Sequence, residues 1–217
     1  MNPTPLNSPA KAPARSGLLR FLRSASIFLR GFIEHPAMVA SVVPSSQATI
    51  DAMLAKVDWS RCRLFVEYGP GVGTFTTRIL DLLPPEGRLI AIDTNPRFIE
   101  FLKRTIDDPR FEAVLGSAAD VESIVREAGH ARADYVISGL PFTALPEDVA
   151  RGIVDATYRV LRDGGAFMTY QFLPTARDLT EARFDRTDRG LAMWNIPPCL
   201  LAWGWKDEAA ALREAAE

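Results

Sequence analysis

The chain has 217 residues, 47% hydrophobic and 24% charged, enough to bury a sizeable core and typical of neither a disordered nor a membrane-spanning protein. Its formal net charge of -2 makes a nucleic acid a poor partner, because a phosphate polyanion is bound chiefly by charge neutralisation. Its two cysteines, Cys62 and Cys199, form neither a metal-ligand spacing nor a disulfide framework, so no metal is expected.

Residues 1–17, with Pro3, Pro5, Pro9 and Pro13 among small residues, predict a disordered tail. Residues 18–35 predict a basic amphipathic helix. At 3.6 residues per turn Leu18, Leu19, Phe21, Leu22, Ala25, Phe28, Leu29, Phe32 and Ile33 share one half of the wheel. Arg20, Arg23, Ser24, Arg30, Gly31 and Glu34 share the other, with Ile27 out of place. Residues 1–33 hold five basic residues and no acid, so the rest of the chain, -2 less +5, carries -7. An apolar face beside arginines suits the headgroup layer of an anionic membrane, and Arg20, Phe21, Arg23, Phe28 and Arg30 are the residues expected to meet it. The arginines interrupt the apolar run too often for a signal peptide or a spanning helix. Packing on the chain's own domain and an Arg-rich targeting segment remain open beside membrane-surface binding.

From residue 36 to 206 the pattern is that of one domain, and 207–217 of a tail. "SQATIDAMLAKV" predicts a helix with Ser45 or Ser46 as N-cap. "RLFVEYG", "RLIAID", "FEAVLG" and "ADYVISG" are short apolar runs that suit buried parallel strands, with "GGAFMTYQF" a fifth. Helices are expected between them at about 75–83, 96–106, 119–128 and 147–161. "ARFDRTDRGLAMWNIPPCLLAWGWK" reads as two strands joined through Asn195–Pro198. The expected fold is α/β, a doubly wound Rossmann-like sheet with a C-terminal antiparallel hairpin. Such sheets bind ligands beyond the carboxyl ends of their strands.

Two of those ends carry unusual residues. "VEYGPGVGTF" sets Glu67, Gly69, Gly71 and Gly73 in a strand-to-helix turn, where missing Cβ atoms let the backbone approach a ligand. A dinucleotide fingerprint wants its third glycine where Thr74 stands, and the lysine of a phosphate loop is missing. The next strand ends at Asp93, within reach of a ribose bound over the first turn. Together the two ends predict a nucleoside site.

On these residues the chain resembles the class I S-adenosylmethionine-dependent methyltransferases, over roughly 47–206. The resemblance implies that the Glu67-to-Gly73 turn holds the methionine part of S-adenosylmethionine and Asp93, with Thr94, its ribose. Ser117 and Ala118 would border the adenine, and S-adenosylhomocysteine would be the product. It further implies that Ser138, Gly139, Leu140, Pro141 and Phe142, after the fourth strand, meet the atom being methylated. Relatives acting on adenine carry Asn or Asp where Gly139 stands, an acceptor that localises the lone pair of a ring amine. An aliphatic amine, with a reference pKa near ~10, needs only to lose a proton. Growing positive charge on it would be tolerated by carbonyls of Ser138–Leu140 and by the faces of Phe142, Tyr170 or Tyr68, at about 0.5–2 kcal/mol per cation–π contact. His35 and Gln171 are weaker candidates, for a proton shuttle and a headgroup contact.

More narrowly, "FIEHPAMVASVVPSS", "EYGPGVG", "SGLPFTALP", "YQF" and "NIPP" resemble the soluble, peripheral phospholipid N-methyltransferases of bacteria. That resemblance implies a monomer, cytoplasmic and peripherally bound to the inner membrane. It would methylate phosphatidylethanolamine in up to three steps toward phosphatidylcholine, with the anionic membrane surface as partner. An rRNA adenine N6-dimethyltransferase-like activity and another amine-bearing lipid, such as ornithine lipid, are the alternatives.

Overall fold

The computed structural model describes residues 47–193 and 198–207. The proline-rich tail, the amphipathic segment with Arg20, Phe21, Arg23, Phe28 and Arg30, His35 and the Ser45/Ser46 cap lie outside the described residues, as do 194–197 and 208–217.

In chain order the elements are α1 (Gln47–Leu54), β1 (Leu64–Tyr68), α2 (Thr74–Leu82), β2 (Arg88–Asp93), α3 (Pro96–Thr105), β3 (Phe111–Leu115), α4 (Val121–Glu127), β4 (Ala133–Ser138), α5 (Glu147–Val160), β5 (Leu161–Gln171), α6 (Thr175–Arg183), β6 (Arg186–Ala192) and β7 (Cys199–Trp205). They build a seven-stranded sheet in the order β3-β2-β1-β4-β5-β7-β6. β1 to β5 run parallel, and β7 is antiparallel to both β5 and β6. The expected Rossmann-like sheet with its terminal hairpin is therefore present. α6 is an element the sequence reading does not contain, and short 3-10 turns at Trp59–Arg61, Ala118–Asp120 and Phe142–Ala144 fill three connections.

Alternation along each strand divides the core. Leu64, Val66 and Tyr68 of β1 join Val121 and Val125 of α4, Ile153 and Val154 of α5, and Phe184 after α6 on one face. Phe65 of β1 faces the other way, with Ile50 and Met53 of α1, Phe75 and Ile79 of α2, and Trp203 of β7. All five residues of β1 are buried, as a strand covered on both faces must be. At the amino ends of the strands the buried Asp134 accepts from the backbone N–H groups of Arg63 (2.7 Å) and Leu64 (2.8 Å) and pairs with Arg162. That clamp fixes β1 against β4, the two strands between which the site lies.

Candidate active site

From β1 the chain winds outward through β2 and β3, then returns to place β4 on the opposite side of β1. The order reverses between β1 and β4, and the crevice above their carboxyl ends is where an open α/β sheet binds its ligand. Both strands continue one residue into their turns: Gly69 N–H donates to the Ile92 carbonyl and Gly139 N–H to the Tyr68 carbonyl, each at 2.9 Å.

The first turn owes its shape to glycine. Gly69, Gly71 and Gly73 have φ of +62°, +55° and +83°, and no residue other than glycine among those described has positive φ. A Cβ on Gly69 would meet Leu140 Cδ2 at 3.2 Å and the Gly139 carbonyl carbon at 3.5 Å, so the absence of a side chain at 69 lets the turn after β4 pack directly on the turn after β1. Gly73 then caps α2. Below the turn, Glu67 is buried, and its Oε2 accepts from the Thr76 hydroxyl at 2.6 Å. Burial pushes its carboxyl up to about 7, with the Thr76 bond opposing the rise.

Asp93 ends β2. Its Oδ1 accepts from Asn95 N–H at 2.8 Å, and the backbone N–H groups of Gly71 and Thr94 also bond it. Burial raises its pKa above the ordinary aspartate value against those three donors. The carboxylate is thus oriented by the glycine turn itself, and it stays half-exposed toward the crevice. Asn95 is an N-cap, accepting from Arg97 N–H at 3.0 Å, with Pro96 opening α3. Thr94 is exposed. Ser117 spends its hydroxyl accepting from Ala119 N–H at 3.2 Å, and Ala118 is buried under the adjoining turn. A turn stripped of Cβ atoms beside a held, accessible carboxylate fits a nucleoside cofactor, with the turn for its amino-acid arm and Asp93 for its ribose.

The segment after β4 is fixed from beneath. Buried Ser138 accepts through Oγ from Leu140 N–H at 3.2 Å. Gln171, expected to reach a headgroup, instead donates its carboxamide to the Leu140 carbonyl and ties the end of β5 to this segment. Pro141 is half-exposed. Phe142 and Tyr68, expected to face the acceptor, are core residues. Phe142 packs edge-on to Phe167 with centroids 6.4 Å apart, and the Tyr68 hydroxyl meets Thr157 Oγ1 at 3.1 Å under the opposite face. The alternation of β1 turns Tyr68 inward, and the 3-10 turn after β4 does the same for Phe142, so both join the buried cluster on one face of the sheet. Of the three aromatics only Tyr170 reaches the crevice, stacked at 4.6 Å on Phe75 from the first turn of α2. Phe75 has no separate signal in the sequence, where it reads as one more apolar residue on a helix. His130 follows α4 toward the amino ends of the strands, away from the crevice.

The methyltransferase domain family matches residues 65–165 of this chain. An ornithine lipid N-methyltransferase from Singulisphaera acidiphila is 30% identical over 174 residues, 79% of this chain and 91% of its own length. A ribosomal RNA small subunit methyltransferase H from Shewanella denitrificans is 35% identical over 103 residues, 46% of this chain but 31% of its own length. Among solved structures, a 1,6-didemethyltoxoflavin-N1-methyltransferase from Burkholderia thailandensis, with bound S-adenosylhomocysteine, superposes with a TM-score of 0.61 at 17% identity, covering 94% of each chain.

Proposed function

The chain belongs to the class I S-adenosylmethionine-dependent methyltransferases, and from that premise we propose that it methylates the headgroup amine of a membrane aminolipid. S-adenosylmethionine is the methyl donor and S-adenosylhomocysteine the product. The observation that carries the acceptor class is the segment after β4. Gly139 supplies no carboxamide to localise the lone pair of a ring amine, and the Tyr170 phenol oxygen with the Gly69 and Tyr68 carbonyl oxygens crowds the position a side chain would take there. The likeness to an ornithine lipid enzyme, over 79% of this chain and 91% of that enzyme, supports the same class. The ribosomal RNA relative is matched over less than a third of its length.

A second observation favours a lipid over a soluble amine. Among the described residues the exposed large apolar side chains are Leu115, Val149, Leu173, Leu191 and Met193. Leu115 ends β3, Val149 lies in the first turn of α5, Leu173 follows β5, and Leu191 and Met193 stand where β6 ends. With β6 and β7 paired Leu191↔Leu200 and β5 and β7 paired Gln171↔Leu200, all five sit at the carboxyl edge of the sheet, around the site. This edge, with the basic amphipathic segment of residues 18–35, is what would meet an anionic inner membrane from the cytoplasmic side.

When bound, the donor supplies an electrophilic methyl on a sulfonium. The chain's part is position. The glycine turn and Asp93 hold one partner, and the Ser138–Pro141 segment, tied by Ser138 and Gln171, holds the other, so that most of the acceleration comes from alignment. For transfer the amine must first release its proton to solvent; its lone pair would then take the methyl, and the carbon–sulfur bonding pair would leave with S-adenosylhomocysteine.

Phosphatidylethanolamine and ornithine lipid both offer a primary aliphatic amine, and the Singulisphaera relative favours the second. The test is transfer of labelled methyl from S-adenosylmethionine into anionic vesicles doped with one or the other, products separated by mass. Mono-, di- or trimethylated lipid in either is expected and identifies the substrate. Labelled RNA with unlabelled lipid overturns the reading.

A further inference from the structure

Residue 139 is where an adenine-modifying relative would place its amide, and here the space is taken. A Cβ built on Gly139 would lie 2.7 Å from the Tyr170 hydroxyl oxygen, 2.9 Å from the Gly69 carbonyl oxygen and 3.5 Å from the Tyr68 carbonyl oxygen. Three oxygens, from β1, from the turn that follows it and from β5, converge on the position a side chain would take at 139. The phenol is held there by its stack on Phe75 at 4.6 Å. Burial and the nearby Glu67 carboxyl raise its pKa above the ordinary tyrosine value, so it is a neutral hydroxyl and not a base.

We infer that Tyr170 and Gly139 form one acceptor-selecting unit, in which the phenol oxygen of Tyr170 occupies the place of a side chain at 139 and receives an aliphatic amine. The inference rests on the aminolipid reading above and names the residue that makes the choice. A hydroxyl oxygen accepts a hydrogen bond from an amine N–H and so aims the nitrogen lone pair. It cannot pair with the donor and acceptor pattern of a nucleobase edge as a carboxamide does. The neighbouring carbonyl oxygens favour the positive charge that grows on nitrogen, as fixed dipoles at a reacting centre do. Tyr170 is on this account a specificity-determining residue, and Gly139 is glycine because the phenol stands beside it.

The experiment compares wild type with Tyr170→Phe, which keeps the ring on Phe75 and removes the oxygen. Expected are a fall of at least tenfold in kcat on the aminolipid vesicles, a KM for S-adenosylmethionine within twofold, and an unchanged melting temperature. A purely packing role would instead lower the melting temperature and cofactor affinity together. An unchanged kcat with an active wild type overturns the unit and leaves the aminolipid reading standing. Wild-type transfer to an adenine-containing RNA hairpin, with none to amines, overturns both. A binding arm does not depend on turnover. Propylammonium is titrated into the protein saturated with S-adenosylhomocysteine and followed by NMR. Wild type is expected to bind it about tenfold more tightly than Tyr170→Phe, and equal affinity or no binding to wild type overturns the unit.

Discussion

Glu67 is a carboxyl group near the end of a fully buried strand, and its charge state is a stability term. Its pKa is pushed up to about 7 from an ordinary 4.5, first by burial. The folded protein therefore keeps a proton on Glu67 at pH values where the unfolded chain has released it. By linkage the contribution is full below about pH 4.5 and is lost as pH rises through 7, at a slope of up to about 1.4 kcal/mol per pH unit. Glu67→Gln is neutral throughout, and its amide oxygen still accepts from Thr76. Urea unfolding without cofactor, at several pH values between 4.5 and 7.5, should show wild type losing stability relative to the variant. Parallel profiles would mean that Glu67 is ionised in the folded state. The sequence marks Glu67 by its place before the glycine turn, and marks Asp93 likewise, because both positions are fixed by a strand end. It does not separate Tyr68, Phe142 and Tyr170. Each is an aromatic beside a strand terminus, and which face of the sheet opens to the crevice is a tertiary fact.

At the scale of elements, the strands were legible and α6 was not, for one physical reason. β1 to β5 announce themselves through runs of large apolar residues. α6 reads TARDLTEAR, and the residues it buries are Ala176 and Thr180. A helix that packs through a methyl and a threonine has no apolar stripe to find. It can lie that close because β7 carries glycine at the contact. A Cβ on Gly204 would come within 2.4 Å of Thr180 Cγ2 and 2.7 Å of the Phe184 ring. Gly204→Ala is therefore expected to push α6 off the sheet and to cost about 1–3 kcal/mol, the usual range for overpacking. A fall in the urea midpoint at constant slope would register it. Because α6 follows β5 by three residues, the same variant should also raise the KM for the acceptor more than that for the cofactor. Wild-type stability would show that α6 adjusts freely and does not position the end of β5.

The whole molecule is asymmetric, with buried clamps such as Asp134–Arg162 at one edge of the sheet and glycine turns, the held carboxylate and exposed apolar residues at the other. The composition does not show this, since a net charge of -7 summed over residues 34–217 conceals where apolar groups gather. Only the strand directions bring Leu115, Val149, Leu173, Leu191 and Met193 to one rim. Leu173 and Met193 are 57% and 64% exposed, so replacing them should leave folding untouched. If the rim enters the headgroup layer, each side chain gains up to about 1.5–3 kcal/mol there, and each 1.4 kcal/mol is tenfold in apparent affinity. Leu173→Glu with Met193→Glu adds repulsion from an anionic surface. We expect the double variant to lose tenfold or more in kcat/KM on anionic vesicles, with the same cofactor affinity and melting temperature as wild type. On the same lipid dispersed in neutral detergent the two proteins should be equally active. Full activity on vesicles would free this rim of any docking role and leave attachment to residues 1–46, whereas equal losses on vesicles and in detergent would place Leu173 and Met193 in the acceptor site itself.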